Sequence, residues 1–201
     1  MHSRRDLLAG LAALPLGAQP FAATAPTPAR QLIRAARAQI GVTTGYDPAY
    51  VRLDYPGGDV PRETGVCIDV IIRAYRDSLG FDFQRAIHED MAANFAAYPE
   101  IWGLPRPDQN IDHRRVPNLE TWLTRHGHER APTHWRPGDL LTCRVPGNLP
   151  HIGLITDRRG VSGDWLAVHN IGRGAREEAL IGRWSGARRF RFLPDAAMRA
   201  E

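Results

Sequence analysis

The chain has 201 residues, 43% of them hydrophobic and 24% charged, with a formal charge of +4. These are ordinary proportions for a globular protein with one core. All 26 basic residues are arginine, spread along the chain without a long run, and there are no repeats or low-complexity tracts; a basic nucleic-acid arm and a solenoid are excluded.

The first 25 residues read as a leader. Ser3-Arg4-Arg5-Asp6 precedes an apolar run from Leu7 to Leu16, and Ala23-Thr24-Ala25 follows. A basic start, a short apolar centre and an A-x-A site describe a cleaved export signal, and the paired arginines are of the twin-arginine type. The apolar run is too short to span a bilayer. The mature domain is expected over residues 26–201, periplasmic or secreted and without stable membrane insertion. Its formal charge falls to +3 once Arg4, Arg5 and Asp6 leave. A mildly basic surface suits a polyanionic neighbour such as cell wall.

Thr27-Pro28 opens a predicted helix with Leu32, Ile33, Ala36 and Ile40 as its buried stripe and Gly41 at its end. Residues 41–63, broken by Gly45, Pro48, Pro56, Gly57, Gly58 and Pro61, read as a long ordered loop carrying Tyr46, Tyr50 and Tyr55. A second helix follows, capped by Thr64 and stopped by Gly80, with Ile68, Ile71, Ile72, Tyr75 and Leu79 on one face. Cys67 falls in its first turn, where unpaired N–H groups and the helix dipole favour a thiolate. A third helix is expected from Phe83 to Ala97 on Ile87, Met91 and Phe95, with His88-Glu89-Asp90 on a solvated face.

Proline-rich residues 99–117 read as a surface excursion. Within it, Asp112-His113-Arg114-Arg115 is either a clamp for a substrate carboxylate or phosphate, or a structural ion-pair knot. Asn118 then caps a short helix with Leu119, Trp122 and Leu123 inward and Gly127 after it. Beyond the turn Arg136-Pro137-Gly138-Asp139, strands are expected at Asp139–Val145, His151–Asp157, Trp165–His169 and Arg189–Leu193. Helices first and an antiparallel sheet after them make an α+β domain.

Cys67 begins a helix, His151 begins a strand and His169 ends the next one. A thiol nucleophile needs a base, and the base needs a polar partner that fixes its tautomer. Two cysteines in an exported chain also allow a Cys67–Cys143 disulfide, which would consume that nucleophile. The order of Cys67, Pro137-Gly138-Asp139-Leu140, His151-Ile152-Gly153-Leu154 and Val168-His169 resembles the NlpC-type, papain-like cell-wall cysteine peptidases, and so does Tyr55-Pro56-Gly57-Gly58 ahead of the cysteine. More closely, Gly58-Asp59-Val60-Pro61, Gly65 through Val70, Ile111 through Asn118 and His169 through Gly172 resemble an uncharacterised family of exported bacterial proteins within that superfamily. The peptidases carry Asp-Cys-Ser-Gly at the nucleophile; here it is Val66-Cys67-Ile68-Asp69.

The resemblance implies a papain-like fold of N-terminal helices on a C-terminal antiparallel sheet, a Cys67-His151-His169 triad, and Tyr55, Asp69 and Asn170 on the oxyanion or substrate side. It requires no cofactor and no metal. The reading is an exported cysteine hydrolase cutting an amide in cell-wall peptide, with Asp112, His113, Arg114 and Arg115 on the substrate. The alternatives are a thioesterase, amidase or acyltransferase using the same residues, and a catalytically silent envelope binding protein. A metal hydrolase built on His151, His169 and an aspartate lacks any H-E-x-x-H spacing. Nothing in the sequence sets an oligomeric state.

Overall fold

The structure, a computed structural model, describes residues 26–195. The expected leader therefore lies outside the described residues. The described residues run through four α-helices, with two short 3-10 turns among them, and then six strands, an α+β order. No helix among the described residues is long and apolar enough to cross a membrane.

Helix α1 (Pro28–Arg37) starts as its sequence dictates: Thr27 accepts the N–H of Arg30, and Leu32, Ile33 and Ala36 are buried. It stops three residues before Ile40, which is therefore 42% exposed and outside the stripe. Helix α2 (Cys67–Leu79) ends at Gly80, whose φ of 65° is the left-handed conformation that closes a helix. It packs on α1 and across the sheet, and from Cys67 to Tyr75 it is buried all round, not on one face; Asp77 in its last turn is exposed. The residue before its first turn is Val66, not Thr64. Valine has no capping oxygen, so Asp69 reaches back and accepts the Val66 N–H at 2.7 Å.

Two buried arginines hold the loops to α2. Arg73 is fully buried; it pairs with Asp59 at 2.9 Å and donates to the carbonyls of Val60 and Thr64. Arg114 forms two parallel 2.9 Å bonds with Asp69 and donates to the carbonyls of Ala49 and Asp47. This makes the 41–63 loop ordered. It also corrects the expectation of a surface excursion: Asp112, His113 and Arg114 form a buried 3-10 turn.

Helix α3 (Phe83–Asn94) is capped by Asp82 and continues as a 3-10 turn over Phe95–Ala97. The expected solvated face is in fact paired: His88 Nδ1 lies 2.9 Å from Asp112, while Asp90 takes Tyr98 and Arg125. Helix α4 (Val116–Arg125) begins after Arg115. Asn118 is inside it, not its cap, and donates to the Asp112 carbonyl at 3.0 Å. Tyr75, Phe81, Phe83, Trp122 and Phe192 form one aromatic cluster, and the Tyr75 hydroxyl donates to the Phe192 carbonyl at 2.7 Å.

The strands are β1 (Glu129–Arg130), β2 (Leu140–Val145), β3 (Leu149–Arg159), β4 (Trp165–Asn170), β5 (Ala175–Ala179) and β6 (Ser185–Phe190). They form one antiparallel sheet in the order β1-β6-β2-β3-β4-β5. β5 carries Arg-Glu-Glu and has no apolar alternation to announce it; β6 lies earlier than the expected Arg189–Leu193. Alternation sorts the side chains. Leu140, Ile152, Leu154, Val168 and Phe190 join the helical core, whereas Leu141, Cys143, Ile155, Ala167 and Leu180 pack on the other face with Trp135, Trp165 and Trp184.

Removing one partner of a buried ion pair strands the other charge. Asp69→Ala and Arg114→Ala should each lower unfolding free energy by about 3–5 kcal/mol, measured by urea denaturation. Arg62→Ala, which breaks the exposed Arg62–Asp77 pair, should cost less than about 1 kcal/mol.

Candidate active site

Cys67 is the first residue of α2 and is 4% exposed. Three backbone N–H groups favour its thiolate: that of Ile152 in β3, its own, and that of Ile68. Burial opposes them and wins, with the Asp69 charge adding to it, so the thiol is pushed up to about 12. This corrects the expectation of a readily ionised thiol. The helix terminus does supply donors, but desolvation of a buried anion outweighs them.

His151 and His169 come together as the sequence order suggested. His151 Nε2 lies 2.9 Å from His169 Nδ1, with the rings edge-on at 84°. Both rings are buried, and burial holds both below the usual imidazole range; the adjacent His169 adds to this for His151, and the Arg183 charge adds to it for His169. Glu178 Oε2 is 3.7 Å from His169 Nε2 and acts the other way. A carboxylate on that side favours a hydrogen on His169 Nε2. Then His169 Nδ1 accepts from His151 Nε2–H, and His151 Nδ1 keeps its lone pair. Glu178, on the strand missed in the sequence, is thus the outer member of the chain. Gly153 leaves the room for it: a Cβ there would come within 2.7 Å of Leu180 and 3.4 Å of the His169 Cβ.

The pair occupies the outer face of the sheet. His151 is opposite Cys143 in register and its ring meets Trp184, whereas its neighbour Ile152 points into the helical core with Cys67. Cys67 therefore reaches β3 from the helix side, at the Ile152 N–H. Among the described residues its sulfur has no hydrogen bond to either histidine. The same two faces separate the cysteines. Both are free, and burial pushes Cys143 up to about 11.

The other expected site residues are spent on architecture. Tyr55 is not beside Cys67. Asp82 and Gln84 take the N–H groups of Gly57 and Gly58, which ties this segment to the start of α3, and the Tyr55 ring meets His88 edge-on at 5.3 Å. That is the far end of α2, about 18 Å along its axis. The tyrosine near the thiol is Tyr46. Burial pushes its hydroxyl up to about 12, with Cys67 and Asp69 adding and Arg114 opposing. Tyr46 was one of three tyrosines in the loop, and spacing could not choose among them.

Asn170 is buried. Its amide donates to the carbonyls of Gly45 and Gly65, both at 2.9 Å, so it pins the Tyr46 loop and the approach to Cys67 onto β4. Asp69 and Arg114 bind each other, Arg115 lies 4.1 Å over the Trp102 ring, Asp112 holds His88, and burial pushes His113 down to about 3. Of the clamp expected at residues 112–115, Asp112 and Arg114 are therefore committed to ion pairs and Arg115 to an aromatic face. A cavity of about 740 Å³ between Tyr50 and Asp108 has His88 on its wall and lies apart from Cys67. Among the described residues, no three His, Cys, Asp or Glu side chains are grouped to hold a metal ion.

Two outcomes follow from these charges. Native Cys67 should react with iodoacetamide at pH 8 on the order of a thousandfold more slowly than an ordinary thiol, as read by mass spectrometry, and should match it once unfolded. His113, His151 and His169 are held neutral when folded, so the unfolded chain binds more protons below about pH 6.5. Stability should be full above that pH and fall as the pH drops toward 4. The urea midpoint should fall less steeply in His151→Gln and His169→Gln.

The comparisons with known proteins name the family. The model described as "Domain of unknown function (DUF1287)" matches residues 33–192. The "Uncharacterized protein YijF" of Escherichia coli (strain K12) is 53% identical over 162 residues, 79% of this chain and 78% of that protein. These findings overturn the expected membership of the NlpC-type, papain-like peptidases, which neither comparison carries. The shared words were a Pro-Gly-Asp turn, a His-Ile-Gly strand start and a helix-opening cysteine, and unrelated folds use such pieces. What remains of that expectation is a family without an assigned activity: the chain belongs to the DUF1287 family.

Proposed function

We propose that this chain is a thiol-dependent hydrolase of an amide bond, exported by its twin-arginine-type leader and acting on cell-wall peptide. The observation that carries the reading is the hydrogen-bonded pair His151–His169, one residue from the backbone N–H that meets Cys67 Sγ. A buried imidazole pair, one residue along β3 from the backbone group that meets a helix-start thiol, includes the group types that acyl transfer needs.

The steps follow from those parts. Sγ forms a bond to the substrate carbonyl carbon while its proton passes to His151 Nδ1. The oxyanion is met by backbone N–H groups at the start of α2 and by the Tyr46 hydroxyl. Its collapse breaks the C–N bond, and His151 gives the proton to the leaving amine. Water then attacks the thioester carbonyl and His151 takes its proton. The C–S bond breaks, and the thiol regains the proton. His169 keeps His151 Nε2 protonated throughout and is a positioning residue. In the resting protein the thiol is neutral and turned to the Ile152 N–H. This chemistry requires substrate binding to bring the thiol within reach of His151 Nδ1.

The burial of Cys67 on the opposite side of the sheet from the imidazoles favours one other reading, a catalytically silent envelope binding protein. Substrate trials separate the two. Purified mature protein incubated with peptidoglycan peptides should release new amino groups. Cys67→Ala should abolish the release, His151→Ala should lower it by at least 10²-fold, and His169→Asn should lower kcat. Release undiminished in Cys67→Ala would refute the thiol mechanism. Peptide binding with no release by wild type would favour the binding protein.

A further inference from the structure

The carboxylate clamp that residues 112–115 do not supply has a counterpart on the outer face of the sheet. A cavity of about 300 Å³ opens beside β4 and β5, and its walls include His169, Arg173, Arg176, Glu178, Arg183 and Trp184. Three guanidinium groups face one carboxylate there. Neither Arg173 nor Arg176 forms an ion pair among the described residues. Arg183 stacks at 4.7 Å on Trp184, and its contact with Glu178 is 3.5 Å and half-exposed, a weak pair. The cavity thus carries uncompensated positive charge.

A second observation is independent of that charge. His169 is 1% exposed, and its Nε2 has no hydrogen-bond partner. Glu178 stands 3.7 Å away, close enough to act through its charge but too long for a formed hydrogen bond. A buried polar atom without a partner is costly, and this one belongs to a residue on the cavity wall. With the hydrogen on Nε2, the tautomer that the nearby Glu178 carboxylate favours, the group is a buried donor that Glu178 alone does not satisfy. Arginine forks beside a single N–H donor match the two oxygens of a carboxylate.

We propose that this cavity binds a carboxylate of the acyl substrate, received by Arg176 and Arg183 with a hydrogen bond from His169 Nε2–H. The assignment rests on the hydrolase reading for the identity of the ligand as substrate. It makes the substrate class an acidic peptide and makes His169 the link between recognition and the base. An anion held there keeps the hydrogen on Nε2 and therefore the lone pair on His151 Nδ1.

The test is calorimetric titration of the full mature chain with glutarate, its neutral diamide glutaramide, and inorganic phosphate. Glutarate should bind wild type and Cys67→Ala equally, and at least tenfold more weakly in Arg176→Gln and Arg183→Gln, both on exposed arginines and checked for folding by circular dichroism. Glutaramide should not bind. The imidazole ¹H–¹⁵N signal of His169 Nε2 should move with glutarate and not with glutaramide. No glutarate binding by folded wild type, or equal binding by the arginine variants, overturns the proposal. Phosphate bound more tightly than glutarate also overturns it, because the site would then serve a free oxyanion. Loss of amide hydrolysis in Cys67→Ala is scored separately, so either reading can fail while the other stands.

Discussion

The Asp69–Arg114 pair is the constraint on which the candidate site depends. Asp69 does three things at once. It caps α2 where Val66 cannot, it anchors a buried guanidinium, and it sets a negative charge near Cys67. Arg114 carries the effect outward, since its remaining donors hold the carbonyls of Asp47 and Ala49 in the loop that contains Tyr46. A single buried pair thus fixes the helix start, the loop beside it and the 3-10 turn from residue 112 to 114. Burial is what gives it that reach: both side chains are nearly inaccessible, so the pair is little screened.

The same burial sets the chemistry at rest. Backbone donors at the helix start pull the Cys67 thiol toward ionisation, while desolvation and Asp69 pull it back, and the second influence is larger. His151 and His169 respond to burial in the opposite sense, because for them the charged form is the protonated one. Burial therefore favours the neutral forms of the thiol and of the two hydrogen-bonded imidazoles. Charge enters only from the edges, at Asp69 on the helix side and at Glu178 and the arginines on the outer side. Asn170 joins the two sides, since it sits on β4 next to His169 and holds the Gly45 and Gly65 carbonyls that precede Tyr46 and Val66.

The sequence by itself determined what depends on local rules. The start of α1 at Thr27-Pro28, the end of α2 at Gly80 and the α3 stripe follow from capping and periodicity, and the strands at 140–145 and 165–170 follow from apolar runs bounded by turns. The pairing of His151 with His169 was also legible, as two strand-end histidines on consecutive antiparallel strands. Tertiary structure decided the rest. Which side of the sheet a side chain faces depends on register, so the sequence could not show that Cys67 and the histidines approach β3 from opposite sides. Which arginines are free depends on partners far along the chain: Arg114 is consumed by Asp69, 45 residues away, while Arg176 keeps its charge at a cavity. Whether a helix-start thiol ionises depends on its burial, a property of the packed core and not of the spacing that put the cysteine there.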